Sequence, residues 1–186
     1  MAQSHIRRDL LRIAAVSGAA VPLAITGAAV PAFADEPSEA GGVVRLNDIE
    51  AIKQLKARYF RALDMRLWDL FASVWTVDAR LEQSLTGAVI VGRDAIVDFV
   101  RQSLTPFQSV HHGHMPEITV TGADTAHGIW SFFGLIGVPG TNPAKGFTDY
   151  GFYTDDYAKH DGVWLISSSR LDVFRIDPLP GGLPGS

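Results

Sequence analysis

The chain has no cysteine, so disulfides and thiolate metal ligands are excluded, and cysteine usage says nothing about compartment. It also lacks a run of lysine and arginine in its body. With a formal charge of only −4 it carries no basic stripe for nucleic acid, and none is expected as a partner. Its one long apolar run, Ile13 to Val30, is interrupted by Gly18, Pro22 and Gly27 and dominated by alanine, too weak for a stable membrane span. What remains is 186 residues, 47% hydrophobic, enough for one packed domain.

The apolar run has a different reading. Arg7 and Arg8 precede it, and Ala32-Phe33-Ala34 follows it as a small-x-small cleavage site. Residues 1–34 are therefore expected to be a twin-arginine (Tat-type) export signal cut after Ala34, and the protein periplasmic or extracellular. Removing that segment takes away Arg7, Arg8, Arg12 and Asp9 and leaves a more acidic mature chain.

Residues 35–45 are polar, glycine-containing and aperiodic, and read as a linker. Asn47 and Glu50 have capping-box spacing, and Ile52, Leu55, Tyr59, Phe60 and Leu63 recur at helical spacing, predicting a helix over 48–63. Two shorter helices are expected over 67–75 and 93–103, with short strands over 79–83 and 88–91 between them. Strands follow over 115–120, 125–136, 147–159 and 163–174, the last pair joined across Asp161-Gly162, a strong hairpin signal. Residues 177–186 form a tail too rich in proline and glycine to pack. Helices early and strands late indicate an α+β fold, a curved, largely antiparallel mixed sheet whose pocket is closed by three helices of the N-terminal half.

The chemistry concentrates in one place. His111, His112 and His114 lie within four residues, the densest group of side chains titrating near neutral pH. Asp64, at the end of the first predicted helix, sits unfavourably at the negative end of the helix dipole and calls for a partner. His112 and His114 with Glu117 could chelate a metal from a strand, but no second ligand cluster accompanies them, and no metal is expected.

Residues Ile52 to Asp64, Ser73 to Ala79, Gly92 to Ile96, the His111 stretch and Tyr157 to Trp164 together resemble the SnoaL-like branch of the nuclear-transport-factor-2-like superfamily. The likeness covers residues 46–176. Within it the chain is similar to scytalone dehydratase, bile-acid 7α-dehydratase and lindane dehydrochlorinase, the last through His111 to Gly113, Ala123-Asp124, Gly128-Ile129 and Gly151 to Tyr157. The resemblance implies a cone-shaped sheet, a dimer or trimer, and a catalytic Asp64–His111 dyad that removes a proton from carbon without a cofactor. The implied function is a lyase of the dehydratase or dehydrohalogenase type acting on a hydrophobic cyclic molecule. An isomerase using the same base and a noncatalytic apolar-ligand binder are the alternatives.

The departures concern the leaving group. Leu63 and Gln83 stand where the dehydratase pattern has tyrosines, Tyr59 and Thr148 where the dehydrochlorinase has basic groups, and Phe152 and Thr154 where several relatives have a second histidine. Tyr59 is the candidate proton donor, with His112 and His114 as others. Phe132 and Phe152 are expected against the ligand on strand parity. Strand parity places His112 and His114 with the core residues Ile118 and Val120, not His111, unless Pro116 breaks the register. His114 therefore joins the substrate-binding candidates. Asp155-Asp156 reads as a solvated edge.

Overall fold

A computed structural model describes residues 39–185; the predicted export signal and the first linker residues lie outside the described residues. The first helix, α1, runs Glu39–Asp64 and buries Ile52, Leu55, Tyr59, Phe60, Ala62 and Leu63 along one face. It starts well before residue 48, so most of the expected linker is helical. Extending an existing helix adds a hydrogen bond per residue without a new nucleation step. Packing contributes little there, since Val43, Val44 and Leu46 are exposed. Glu50 is correspondingly not a cap; its carboxylate accepts from Gln54 at 2.8 Å.

Arg66 ends α1 in the left-handed conformation, φ 59°. The Leu67 amide bonds the Ala62 carbonyl and the Arg66 amide that of Leu63, a Schellman closure normally given to glycine. The guanidinium offsets the strain by bonding the carbonyls of Leu63, Leu104 and Phe107 and the Ser109 hydroxyl. A short helix α2 (Trp68–Ser73), strands β1 (Trp75–Gln83) and β2 (Ala88–Val91), and helix α3 (Arg93–Leu104) follow. Trp75, expected in the helix, opens β1 instead.

Four long strands complete the chain: β3 (Gln108–Val120), β4 (Thr125–Gly137), β5 (Gly146–His160) and β6 (Val163–Pro178). They form one six-stranded sheet in the order β2-β1-β6-β5-β4-β3, antiparallel except for β1 against β6. The fold is thus α+β, a mixed open sheet with its helices in the N-terminal half of the chain. The β5–β6 hairpin turns at Asp161 and Gly162, both at positive φ, as the Asp-Gly pair requires.

Two features depart from expectation. In β3, His114 pairs with Ser131 but Glu117 with Ile129, so one extra residue enters the strand beside Met115 at φ 46°. This bulge flips the side-chain parity. The Pro/Gly tail also packs: the amides of Leu179 and Gly181 bond the carbonyls of Gly146 and Ala144, and the Gly146 amide bonds that of Gly182. Proline-free amides between the prolines supply the donors that composition alone conceals.

Candidate active site

The last turn of α1 brings Asp64 against the start of β3. Asp64 Oδ1 lies 2.6 Å from His111 Nδ1 and accepts from the Ser109 hydroxyl at 3.0 Å, while Oδ2 accepts from the His111 amide at 2.9 Å. Ser109 is itself bonded to Arg66 at 2.8 Å, so the guanidinium that caps the helix end also steadies the carboxylate's partner. Burial works to raise the Asp64 carboxyl, but the His111 ring and amide and the Ser109 hydroxyl hold it below the ordinary carboxylate range. An ionised Asp64 at this distance makes Nδ1 the protonated nitrogen of a neutral imidazole and leaves the Nε2 lone pair free.

The ring has only one direction in which to use that lone pair. Phe60 stacks on it with centroids 6.3 Å apart, and Phe132 lies 5.9 Å away on a near-parallel plane. Gly113 permits this packing, since a Cβ there would stand 2.6 Å from Phe60 Cε2. The imidazole borders a cavity of about 220 Å³ walled by Leu63, Val100, Leu104, Phe107, Phe132, Ile136, Phe147, Leu171 and Val173. Among the described residues its polar lining is Tyr59, Gln83, Ser103, His111, Asp149 and Tyr153, with no lysine or arginine.

Of the residues expected in the site, Asp64, His111, Tyr59 and Phe132 converge. Tyr59 is buried in the wall and hydrogen-bonded to Tyr153; burial and the nearby Asp155 charge push its phenol well above the ordinary value. His114 and Phe152 do not belong. His114 and Phe152 both pair with Ser131, and residues directly opposite share a face, so the three form one outward row. Phe132 pairs with Gly151 on the other face. Phe152 is 44% exposed beside Phe174, and His114 stacks on His112 rather than on any cavity residue. The bulge that turns His111 inward is what turns His112 and His114 out.

Two acidic residues were missed. Asp155, expected on a solvated edge, is fully buried and salt-bridged to the equally buried Lys56 at 2.7 Å. Lys56 lies over the rings of Tyr153 and Tyr59, behind the cavity wall. Asp149 lines the cavity itself, 8% exposed, and its Oδ1 has no hydrogen-bond partner among the described residues. Desolvation pushes its carboxyl above the ordinary range, partly countered by His111. Both acids share inward parity with Tyr153 and Tyr157, the signal that could have found them.

With this geometry in view, the SnoaL-like domain family model matches residues 44–170. A gamma-hexachlorocyclohexane dehydrochlorinase of Sphingobium indicum is 27% identical over 140 residues, covering 74% of this chain and 87% of that enzyme. The crystal structure of a type 2 hexachlorocyclohexane dehydrochlorinase is similar with a TM-score of 0.68 and 25% identity, over 78% of this chain and 99% of the other. A scytalone dehydratase-like structure from Novosphingobium aromaticivorans has a TM-score of 0.67 over 73% of this chain and 90% of its own, and at 21% identity speaks for the fold.

Proposed function

The chain belongs to the SnoaL-like domain family, whose relatives here include dehydrochlorinase lyases, and we propose that it is a cofactor-independent lyase acting on a hydrophobic cyclic small molecule. The observation that carries this reading is the 2.6 Å Asp64–His111 contact at the edge of an apolar cavity. His111 Nε2 takes a proton from a ring carbon. The electrons of that C–H bond become a C=C bond as the substituent on the adjacent carbon departs. Asp64 fixes the tautomer and stabilises the imidazolium that forms, a positioned base contributing about 10²–10⁴ in rate. The walls of the cavity desolvate the ring, and Phe60 and Phe132 hold the imidazole edge-on to it. The same proposal has this activity outside the cytoplasm, supported by the twin arginines Arg7-Arg8 and the Ala32-Phe33-Ala34 site in the sequence of residues 1–34.

A panel of cyclic alcohols, halides and enones, with wild type and His111→Ala, tests the reading. Alkene formation should fall by about 10²–10⁴ in the variant while binding of the apolar ring persists. Full activity in His111→Ala would remove the base from the mechanism. Binding without turnover by wild type across the panel would leave a ligand carrier, and migration of a double bond without loss of a group would make the protein an isomerase.

A further inference from the structure

We infer that Asp149 is a second catalytic group, the general acid for the departing substituent, and that the site is therefore built to expel a hydroxyl as water rather than a halide. This rests on the base-initiated elimination proposed above and assigns the half of it that the dyad leaves open.

The register places the two groups. His111 on β3 pairs with Gly134 on β4, and Gly134 pairs with Asp149 on β5, so base and acid flank one glycine on the same face. Neighbouring strands are about 4.8 Å apart, which separates the two backbones by roughly 10 Å. The Asp149 carboxyl leans back across that gap: a Cβ on Gly134 would overlap its Oδ1, and would stand 2.6 Å from Phe132 Cζ. The carboxyl thus fills the space over Gly134 on the side of the imidazole, and a molecule in the cavity that both residues line meets the imidazole at one ring carbon and Asp149 at the next. Oδ1 is buried with no hydrogen-bond partner among the described residues, a costly state for an ionised carboxylate that favours the protonated acid, while the residue borders the cavity.

The surroundings also favour the proton on it. Among the described residues, the ionisable groups that line the cavity with Asp149 are His111 from β3, Tyr153 on its own strand and Tyr59 from α1, with no lysine or arginine. Asp64, hydrogen-bonded, is pushed down, and Asp149, desolvated, is pushed up. Two carboxyls driven apart by their environments mark which ionises the more readily and which holds its proton the longer.

The step balances. His111 Nε2 takes the proton from carbon, the C–H pair becomes the double bond, and the C–O pair stays on oxygen. That oxygen takes the Asp149 proton and leaves as water. The resulting imidazolium and carboxylate return to the starting state when the proton passes from His111 to Asp149 through the product water. Hydroxide is a poor leaving group and needs this acid; chloride does not, and a carboxyl offers it no countercharge.

The test uses a β-hydroxy cyclohexanone and its β-chloro counterpart, following enone absorbance above the uncatalysed rate, with wild type, Asp149→Asn and His111→Ala. Asp149→Asn should lower enone formation from the hydroxy ring by about 10²–10⁴ and change the chloro ring by less than about threefold, while His111→Ala lowers both. Equal losses on both rings in Asp149→Asn would make Asp149 an enolate-oxygen donor or a wall residue, and no loss on either would make it a bystander; each overturns the assignment. Retained activity in His111→Ala would instead defeat the base. A wild-type minus Asp149→Asn infrared difference spectrum at neutral pH reads protonation with or without turnover. It should show the carbonyl band of a neutral carboxylic acid, and a carboxylate band alone overturns the proposal.

Discussion

Replacing Lys56 by methionine should be among the most damaging single changes to the described domain, and the structure says why. The ammonium is 1% exposed and 2.7 Å from Asp155 Oδ2, on a carboxylate that is itself fully buried. Asp155 accepts two further hydrogen bonds, from the Tyr157 hydroxyl at 2.8 Å and the Ser169 hydroxyl at 2.6 Å, and Tyr157 in turn accepts from Trp130 Nε1 at 2.9 Å. Methionine keeps most of the side chain's length, so little cavity opens, but the carboxylate is left without its countercharge. Breaking a buried pair from one side costs about 3–5 kcal/mol. Loss of the ammonium over the Tyr153 and Tyr59 rings, 3.9 and 4.5 Å from their centroids, adds about 0.5–2 kcal/mol. At about 2–4 °C per kcal/mol for a domain of this size, the midpoint should fall by roughly ten degrees or more.

Urea unfolding followed by tryptophan fluorescence measures this, because Trp75 and Trp130 are buried. The decisive comparison is Lys56→Met with Asp155→Asn, alone and together. Asparagine keeps one oxygen to accept from Tyr157 or Ser169, turns its amide nitrogen to the other hydroxyl and carries no charge, so the double variant should recover much of the loss of either single one. A Lys56→Met cost under about 1 kcal/mol, or single costs that simply add, would show that the two charges are not energetically coupled and refute the reasoning.

Three further outcomes follow from the same coordinates. Gly134→Ala should cost about 1–3 kcal/mol by overpacking, and should displace the Asp149 carboxyl and Phe132 ring that share its space; calorimetry together with the hydroxy-ring assay checks both. Phe132→Ala should cost about 3–5 kcal/mol, whereas Phe152→Ala, on the outer face, should stay within about 0.5 kcal/mol and leave ring binding unchanged. The two acids should give opposite pH slopes. Asp64, depressed in the fold, contributes stability that is present above its unfolded value of about 3.9 and lost as pH falls through the folded one. Asp149, raised in the fold, holds its proton longer than the unfolded chain does, so stability drains as pH rises past about 3.9, and Asp149→Asn should remove that decline. Urea titrations across the acid range decide it; parallel curves for wild type and both Asn variants would refute the assignment of charge.

The helices and the order of the strands were legible because each is a local pattern. Burial of Ile52, Leu55, Tyr59 and Leu63 follows directly from helical spacing, and Asp161-Gly162 names its own turn. The start of α1 was not legible, because Val43, Val44 and Leu46 are carried by helix propagation and leave no buried stripe to read. The tail was not legible because its hydrogen bonds go to Ala144 and Gly146, far away in sequence.

The site shows the same division more sharply. Asp64 and His111 come together as the resemblance implies, against a parity argument that favours His112 and His114. That argument assumed an unbroken pleat, and the extra residue beside Met115 invalidates it: Ile118 and Val120 do point inward, but only His111 shares their face across the bulge. Asp149 was overlooked for a different reason. A lone acid in a strand has a surface residue as its ordinary reading; its parity with Tyr153 points inward, and the register, with Gly134 vacating the space that its carboxyl fills, shows how it is buried beside the cavity. Such a residue breaks the local rule for strands, and its Oδ1 finds no hydrogen-bond partner among the described residues to offset the desolvation. A position where every local preference loses is where a demand from outside the fold has to be sought, and here the space it faces is the one His111 faces.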